Sequence, residues 1–568
     1  MTIKKMETNH ETEKKALERG FTPLQAIILG NRLTLEIDDF LHRHDNELPS
    51  PYSFKDANLA INALAEAING REKIWLVSDF DNDGVGAMAA SFYLLTKVIG
   101  YPEDLIRVQV TKRSDGYGLT KKAIDLMLKE TDEETRPDIL VTMDIGSSNG
   151  EEAKYLQSKC PDMQVVITDH HDVPPKGFPE NITAFVNPNK PGCNYPDKTI
   201  CGAAVVFFIL DGVRIKLESE GLKTLTSPYN ALSYVASSTV ADAVSIESPL
   251  NRFIVKYGVQ LMNNGIFPAW VTLKNKMERT EEISEITLGW LLGPMINATS
   301  RLGDGLDAPF RFLSASTGLV ASHNLDRMEE VNAKRKEIQN QLYKDARIEA
   351  ESQKDNACLV IKLNEKFPGI GGVVAGRLME DYKKPVFVLM PSEPGVITGS
   401  ARAPSEYFVL EYLRSLPEGT MIKFGGHKSV AGISLLEEKF ELFKTLINEA
   451  IKSSGVKVSR QTLYDIEKEG MPTPEDFYEL RALAPYGMRF PQPVFAAFGD
   501  IEDIENISKK TDAHKRILFR EQGSNQIIKI NYFNAPPSLD DTLNAIAYNV
   551  GENHFRGRKT IQLTVAGT

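Results

Sequence analysis

Three short runs of continuous apolar residues mark the first third of the chain: 73–78 (KIWLVS), 138–143 (DILVTM) and 164–168 (QVVIT). Strands buried on both faces read this way, as unbroken Val- and Ile-rich runs rather than as an alternation. Between them the spacing predicts helices over 86–99 and 121–129. Strands alternating with helices predict a parallel sheet covered on both faces. An acid follows each run at once: Asp79, Asp144 and Asp169. Ligands bind beyond the carboxyl ends of such strands, so the three acids are expected to meet in one crevice.

The pattern changes further along. Residues 229–244 (YNALSYVASSTVADAV) are apolar nearly all round and predict a buried helix. Asp242 near its end then needs a partner or a metal. From 319 to about 357 the chain reads as one long, highly charged helix with few loop formers, a rigid connector. Residues 357–363, a Gly-rich turn, 373–380 and 386–390 predict a smaller α/β unit that closes near 453. Short alternating runs at 526–532, 544–549 and 560–565 predict a small β-barrel. The expected class is α/β: a doubly wound parallel-sheet domain with an N-terminal extension over 1–310, a connecting helix over 311–356, the smaller α/β domain over 357–455 and the barrel over 456–568.

Composition adds bounds. A chain of 568 residues exceeds one core, in keeping with this division. The apolar runs fall far short of the ~20 residues of a membrane span, and the charged start (MTIKKMETNH) does not read as a signal peptide. Cys160, Cys193, Cys201 and Cys358 form no CxxC pair, which argues against disulfides and zinc and for a reducing cytoplasm. The net charge of −11 weighs against nucleic acid as partner. A cluster of carboxylates inflates the acidic count, however, and a basic groove can be local.

The candidate chemistry lies in the acids. DFDNDG (79–84) places Asp79, Asp81 and Asp83 within five residues, a cluster that repels itself unless cations compensate it. A calcium loop would carry an acid six places beyond the glycine, where Ala90 stands. Asp169-His170-His171-Asp172 adds imidazoles; mixed His and carboxylate ligation suits Mn²⁺, with Mg²⁺ or Zn²⁺ as alternatives. Two such ions a few ångströms apart can neutralise in-line attack on phosphorus. Four turn-rich segments, RSDGYG (113–118), NATSRLG (297–303), GSAR (399–402) and FGGH (424–427), combine glycine with hydroxyl or cation. Glycine admits a phosphate close to the backbone and Arg grips its oxygens, so together they point to a polyanionic substrate.

These motifs in this order, with MDIGSS, TDHHD, CGAAVV, ADAV, GVVAGRL and FGGHKSVAG, resemble the DHH phosphoesterase superfamily and, within it, the RecJ-type single-strand-specific exonucleases. Pro485-Tyr486-Gly487-Met488 with Pro493–Phe495, and Asn553–Gly557 with Gln562, resemble the extra OB-like nucleic-acid-binding barrel of that group. The resemblance implies DHH, DHHA1 and OB-like domains and a metal-dependent hydrolase that degrades single-stranded DNA 5′ to 3′ in recombination and repair. An alternative within the class is a phosphodiesterase for short RNA oligonucleotides or cyclic dinucleotides.

By position, it makes Asp81, Asp83, Asp144, His170 and Asp242 ligands of two Mn²⁺ or Mg²⁺ ions, with Asp144 bridging and Asp79 assisting. His171 joins them as a catalytic residue, against the scissile phosphate or the attacking oxygen. Arg113, Ser400 and Arg402 would hold a terminal 5′-phosphate, Arg301 the backbone nearby, and His427 would lie at the rim. A cytoplasmic monomer acting with a single-strand-binding protein or a helicase, and with no membrane, is the implied setting. The sequence departs from the pattern at Phe367, where His is common, at Asp115 for Glu, at Ser300 for Gly, and in a charged insertion at 130–137.

Overall fold

The computed structural model describes residues 2–566 except 42–47, 117, 133–134, 278–281, 457, 459–460, 509–510, 524–525, 534, 536–538, 540–542 and 556–557, and except the side chains at 2, 114, 427, 508, 511–513, 554–555 and 558. The central sheet has five parallel strands in the order Ile106–Val110, Ile74–Ser78, Ile139–Met143, Gln164–Thr168, Ala184–Val186. Alternate residues enter different cores. Ile74, Leu76, Ile139 and Val141 face one apolar layer, whereas Trp75, Val77, Leu140 and Ile167 face the other. Burial on both faces is why these strands read as continuous apolar runs. Ile74–Ser78, the first of these five in chain order, lies second in the sheet, so the winding reverses between it and Ile139–Met143. A crevice opens at that switch point, beyond the strand ends.

The three expected strands are present within a residue of their bounds, and two more, Ile106–Val110 and Ala184–Val186, flank them. The first of these is only half-buried at the sheet edge, which weakens its apolar signal. The helix expected at 86–99 begins earlier, at Asn82, because Asp81 caps it with its own carboxylate; its last turn, Leu94–Ile99, is a π-helix. The helix expected over 229–244 is Leu232–Ala241, preceded by a 3₁₀ turn, and it stops just short of Asp242.

The connecting helix spans Gly318–Ser352, about 50 Å at 1.5 Å per residue. Leu325 and Met328 near its start join the core of the parallel-sheet domain, and Leu342, Tyr343 and Ala346 near its end join that of the next unit. One rigid rod therefore belongs to two cores. That second unit is a five-stranded sheet in the order Lys423–His427, Val430–Leu436, Val396–Arg402, Val386–Glu393, Leu359–Lys362. The helix Pro368–Tyr382 packs against its strands Val386–Glu393 and Val396–Arg402.

The last domain is a six-stranded sheet that curls until Val494–Ser508 pairs with Ala545–Phe555. The expected runs appear as Ile527–Tyr532, Ala545–Phe555 and Arg558–Val565. The two longest strands, Val494–Ser508 and Thr511–Glu521, lack an even alternation, because register shifts near Asp503 and Ser508 interrupt it. Residues 2–40, grouped with the first domain in the sequence reading, pack with the barrel. Thr2–Lys5 pairs in parallel with Gln461–Tyr464, the buried Arg32 guanidinium is paired with Asp465, and Ile28, Leu29 and Phe40 join the barrel core.

Arg252 ties these parts together. Its buried guanidinium lies 4.4 Å over the Phe40 ring and 5.0 Å over Phe490. It donates to the carbonyls of Leu483 (2.5 Å) and Pro485 (3.0 Å) and forms no ion pair among the described residues. Burial pushes it down to about 10. Because buried carbonyls that lose their donor carry the full desolvation cost, Arg252→Met should destabilise the chain by about 2–4 kcal/mol. Denaturant unfolding monitored by far-UV circular dichroism measures this; a change below about 1 kcal/mol would show that Arg252 is not a clamp.

Candidate metal centre and anion pocket

Five carboxylates line the crevice, each placed by a different local device. Asp79 ends the Ile74–Ser78 strand, and its N–H donates to Met143 across the sheet at 3.3 Å. Asp81 is the N-cap of Asn82–Tyr93, accepting from the N–H of Asp83 (3.0 Å) and Gly84 (3.2 Å). Asp83 accepts from the N–H groups of Gly202 (2.7 Å) and Ala203 (2.9 Å), the free donors at the start of the helix Gly202–Ser219. That helix lacks a side-chain cap of its own, and a carboxylate at its positive end is favourable. Asp144 has a left-handed backbone, φ 62°, strained for a residue with a Cβ. Gly202 packs against it, where a Cβ would fall 2.6 Å from Asp144 Oδ1. Asp242 caps the end of Leu232–Ala241.

The histidines enter after the Gln164–Thr168 strand. His170 Nε2 lies 3.2 Å from Asp144 Oδ1, 3.5 Å from Asp242 and 3.7 Å from Asp83. His171 is turned by Asp169, whose Oδ1 meets His171 Nδ1 at 2.8 Å while its Oδ2 accepts from the Ser147 N–H at 2.8 Å. Asn187, fully buried, donates to the His171 carbonyl (2.9 Å) and to Ser147 Oγ (2.8 Å), fixing the turn from behind.

Electrostatics divides these groups into two kinds. Burial, then the charge of Asp81, pushes Asp79 up to about 8. Burial and the neighbouring carboxylates likewise raise Asp81, Asp144 and Asp242. Burial would raise Asp169 too, but the His171 hydrogen bond and charge outweigh it and hold Asp169 well below the usual range. Burial lowers His171, yet its bond to Asp169 and the charges of Asp169 and Asp242 carry it up to about 9. Burial lowers His170.

Neutral His170 Nε2 and Asp144 Oδ1, both buried, have no hydrogen-bond partner although they lie 3.2 Å apart. Both offer lone pairs, as metal ligands do, and a divalent cation fits this donor set. Three groupings place one ligand atom per residue within 4.8 Å of one another: Asp79, Asp81 and Asp144; Asp83, His170 and Asp242; and Asp144, His170 and His171.

Beside the acids lies a cluster of the opposite sign. The Arg113 guanidinium sits 4.3 Å over the ring of Phe80, the residue between Asp79 and Asp81, and its buried Nε has no partner. Arg301 donates to the Gly369 carbonyl at 2.9 Å, at the start of the helix Pro368–Tyr382. Burial, then repulsion from Arg113, Arg402 and Arg335, pushes Arg301 down to about 10. Arg402 and Ser400 lie on the adjacent strand, where a Cβ on Gly372 would fall 2.8 Å from Arg402 and 3.3 Å from Ser400 Oγ. Three mutually repelling arginines, a hydroxyl and a helix N-terminus in one place form an anion pocket.

Asp79, Asp81, Asp83, Asp144, Asp169, His170, His171 and Asp242 thus converge, as do Arg113, Arg301, Ser400 and Arg402. The His427 side chain lies outside the described residues; its backbone pairs with Val430, which pairs in turn with Arg402. Tyr117 and most of 553–557 also fall outside. Sequence reasoning gave no site role to Asn187, to Arg335 on the connecting helix, or to Asn297, whose Oδ1 accepts the Asn82 N–H at 2.9 Å. Asn297 stands in a motif already noted, but nothing in the sequence marks the other two.

A carboxyl raised by folding contributes stability that is fully present below its unfolded value near 4 and lost as pH rises, for Asp79 through about 8. The metal-free chain should therefore melt at lower temperature at pH 8 than at pH 5.5. Mn²⁺ at a hundred times its Kd should restore about 2.7 kcal/mol at pH 8, and the same concentration should restore less at pH 5.5, where protons compete. Calorimetry at both values tests this, and a Mn²⁺ effect independent of pH would exclude the raised carboxyls as its ligands.

Comparison with known proteins accords with this geometry. The DHH family N-terminal domain matches residues 73–238, the DHHA1 domain 355–453 and the RecJ OB domain 468–567. The single-stranded-DNA-specific exonuclease RecJ of Haemophilus influenzae is 27% identical over 554 residues, 92% of each chain. Its Escherichia coli counterpart is 27% identical over 539 residues, 89% of each. The crystal structure of RecJ in complex with Mn²⁺ from Thermus thermophilus shares the fold, with a TM-score of 0.77 and 22% identity over all of this chain and 78% of that one. Among the described residues no helix is long and apolar enough to cross a membrane. The chain belongs to the DHH family and carries the DHH, DHHA1 and RecJ OB domains in that order.

Proposed function

We propose that this chain is a metal-dependent exonuclease that hydrolyses single-stranded DNA from its 5′ end, in recombination and repair. The observation that carries this reading is the adjacency of two opposite fields. Phe80 stands between two of the crevice acids while its ring holds Arg113 of the anion pocket. A terminal phosphate gripped by Arg113, Ser400 and Arg402 places the next phosphodiester over the acids, so the pocket measures one nucleotide from the end. The specificity that the two bacterial relatives share, as their names state it, supports single-stranded DNA as the polymer.

In this reading Asp81, Asp83, Asp144, His170 and Asp242 would hold two Mn²⁺ or Mg²⁺ ions, with Asp79 assisting. When bound, the ions supply positive charge to the phosphorus centre as it is attacked. His171, fixed by Asp169, offers an N–H to an oxygen of the scissile phosphate. Water adds to phosphorus and the bond to the 3′ oxygen of the terminal nucleotide breaks. A 5′-nucleoside monophosphate leaves, and the strand keeps a new 5′-phosphate for the next cycle. Arg301 steadies the backbone, and His427 belongs to the rim. A cytoplasmic monomer that receives its strand from a helicase or a single-strand-binding protein fits this chemistry.

Two measurements test the reading. Asp144→Ala should lower kcat on 5′-phosphorylated single strands by on the order of 10³ or more, the scale of several kcal/mol of lost charge stabilisation. Retained activity would sink the metal mechanism. Wild-type protein should cut a 5′-phosphate strand at least about tenfold more efficiently than a 5′-hydroxyl strand, and Arg402→Ala should bring that ratio towards one, since a charge-assisted bidentate contact is worth over about 1.4 kcal/mol. Equal wild-type rates on both ends would rule out the pocket as an end reader.

A further inference from the structure

The stretch from Glu285 to Leu302 runs along the crevice from the anion pocket to the barrel. Arg301 lies at the pocket, Asn297 holds the Asn82 N–H, and Gly293 packs beside the same turn, where a Cβ would fall 3.7 Å from Asn82 Nδ2 and 3.4 Å from Ala241. One turn earlier Gly289 packs on Val240, where a Cβ would fall 3.3 Å away. Leu288–Leu292 is a π-helix, a form that recurs at functional sites. From this wall Trp290 projects with 79% of its surface exposed, next to Leu291 at 38%.

The barrel turn Gly487–Phe490 adjoins this stretch. It is held to this stretch through Glu285, which pairs with Arg481 and accepts from the Tyr486 N–H at 3.4 Å. Ile246, four residues after Asp242, donates its N–H to the Met488 carbonyl at 2.9 Å. The tip of the turn carries Met488, 56% exposed, and Arg489, exposed and in the left-handed region at φ 65°. Arg489 has no ion pair among the described residues.

We infer that Trp290, with Met488 and Arg489 on the adjoining barrel turn, forms an entry subsite that stacks a base of the incoming single strand. This rests on the exonuclease reading and deepens it. An indole face, a thioether and a guanidinium without an ion pair are the parts of a stacking platform beside a phosphate contact. Eleven residues separate Arg301 from Trp290, about 16 Å of helix, so the strand meets Trp290 a few nucleotides behind its end. The subsite therefore engages polymers and not dinucleotides.

The chain carries its own reporter. Of its three tryptophans, Trp75 and Trp270 are fully buried, so emission accessible to solvent arises from Trp290. The uncut complex of the full-length Asp144→Ala variant is titrated with 5′-phosphorylated oligothymidylate of about 12 nucleotides, while anisotropy of a labelled strand follows binding. Saturable quenching by the oligomer, with none by the 5′-phosphorylated dinucleotide, is expected. Adding Trp290→Ala should weaken oligomer binding about tenfold, with Trp290→Phe restoring most of it. Binding without quenching, equal quenching by the dinucleotide, or unchanged affinity in the Ala variant overturns the subsite. A protein that binds no strand by anisotropy removes the exonuclease reading itself, a separate result.

Discussion

Everything in this molecule is arranged around the mutual repulsion of buried carboxylates. Asp79, Asp83 and Asp144 are buried in one crevice that the half-buried Asp81 and Asp242 complete, and carboxylates so close together repel one another. The fold supplies part of that compensation by fixed means. Asp83 sits on the start of Gly202–Ser219 and Asp81 on the start of its own helix. What remains is a demand for mobile cations that the protein itself cannot meet. The parallel sheet serves this end, because its switch point delivers two acid-tipped strand ends to the same spot.

The arginine pocket is the converse. Arg113, Arg301 and Arg402 come from two domains and repel one another, so they want an anion as firmly as the acids want cations. A phosphodiester chain that brings phosphate to both places, with metal at one of them, satisfies both. The long helix Gly318–Ser352 keeps the two fields at a set separation because each of its halves is packed in a different core.

Much of this was legible in the sequence, for identifiable reasons. Continuous apolar runs ending in acids announce strands buried on both sides, and the self-repelling DFDNDG announces a cation site. What escaped notice depends on long-range contact. Asp169 was visible as one of the strand-end acids, but its bond to His171 was not. The support from Asn187 arises from a residue 16 positions away, and the edge strand Ile106–Val110 is too half-buried to read as apolar. The placing of residues 2–40 on the barrel escaped for the same reason, since Arg32 meets its partner Asp465 across 433 positions. The exposure of Trp290 follows from a π-helical turn that no local pattern predicts.

That last-domain anchorage bears on how the protein is made. Ile28, Leu29 and Phe40 are synthesised well before the strand and core that cover them, which begin at Gln461 and follow about 400 residues later, at roughly 5–20 residues per second. For tens of seconds the nascent chain carries this apolar segment without the barrel strands that complete its core. Expression at reduced synthesis rate lengthens that exposure instead of relieving it.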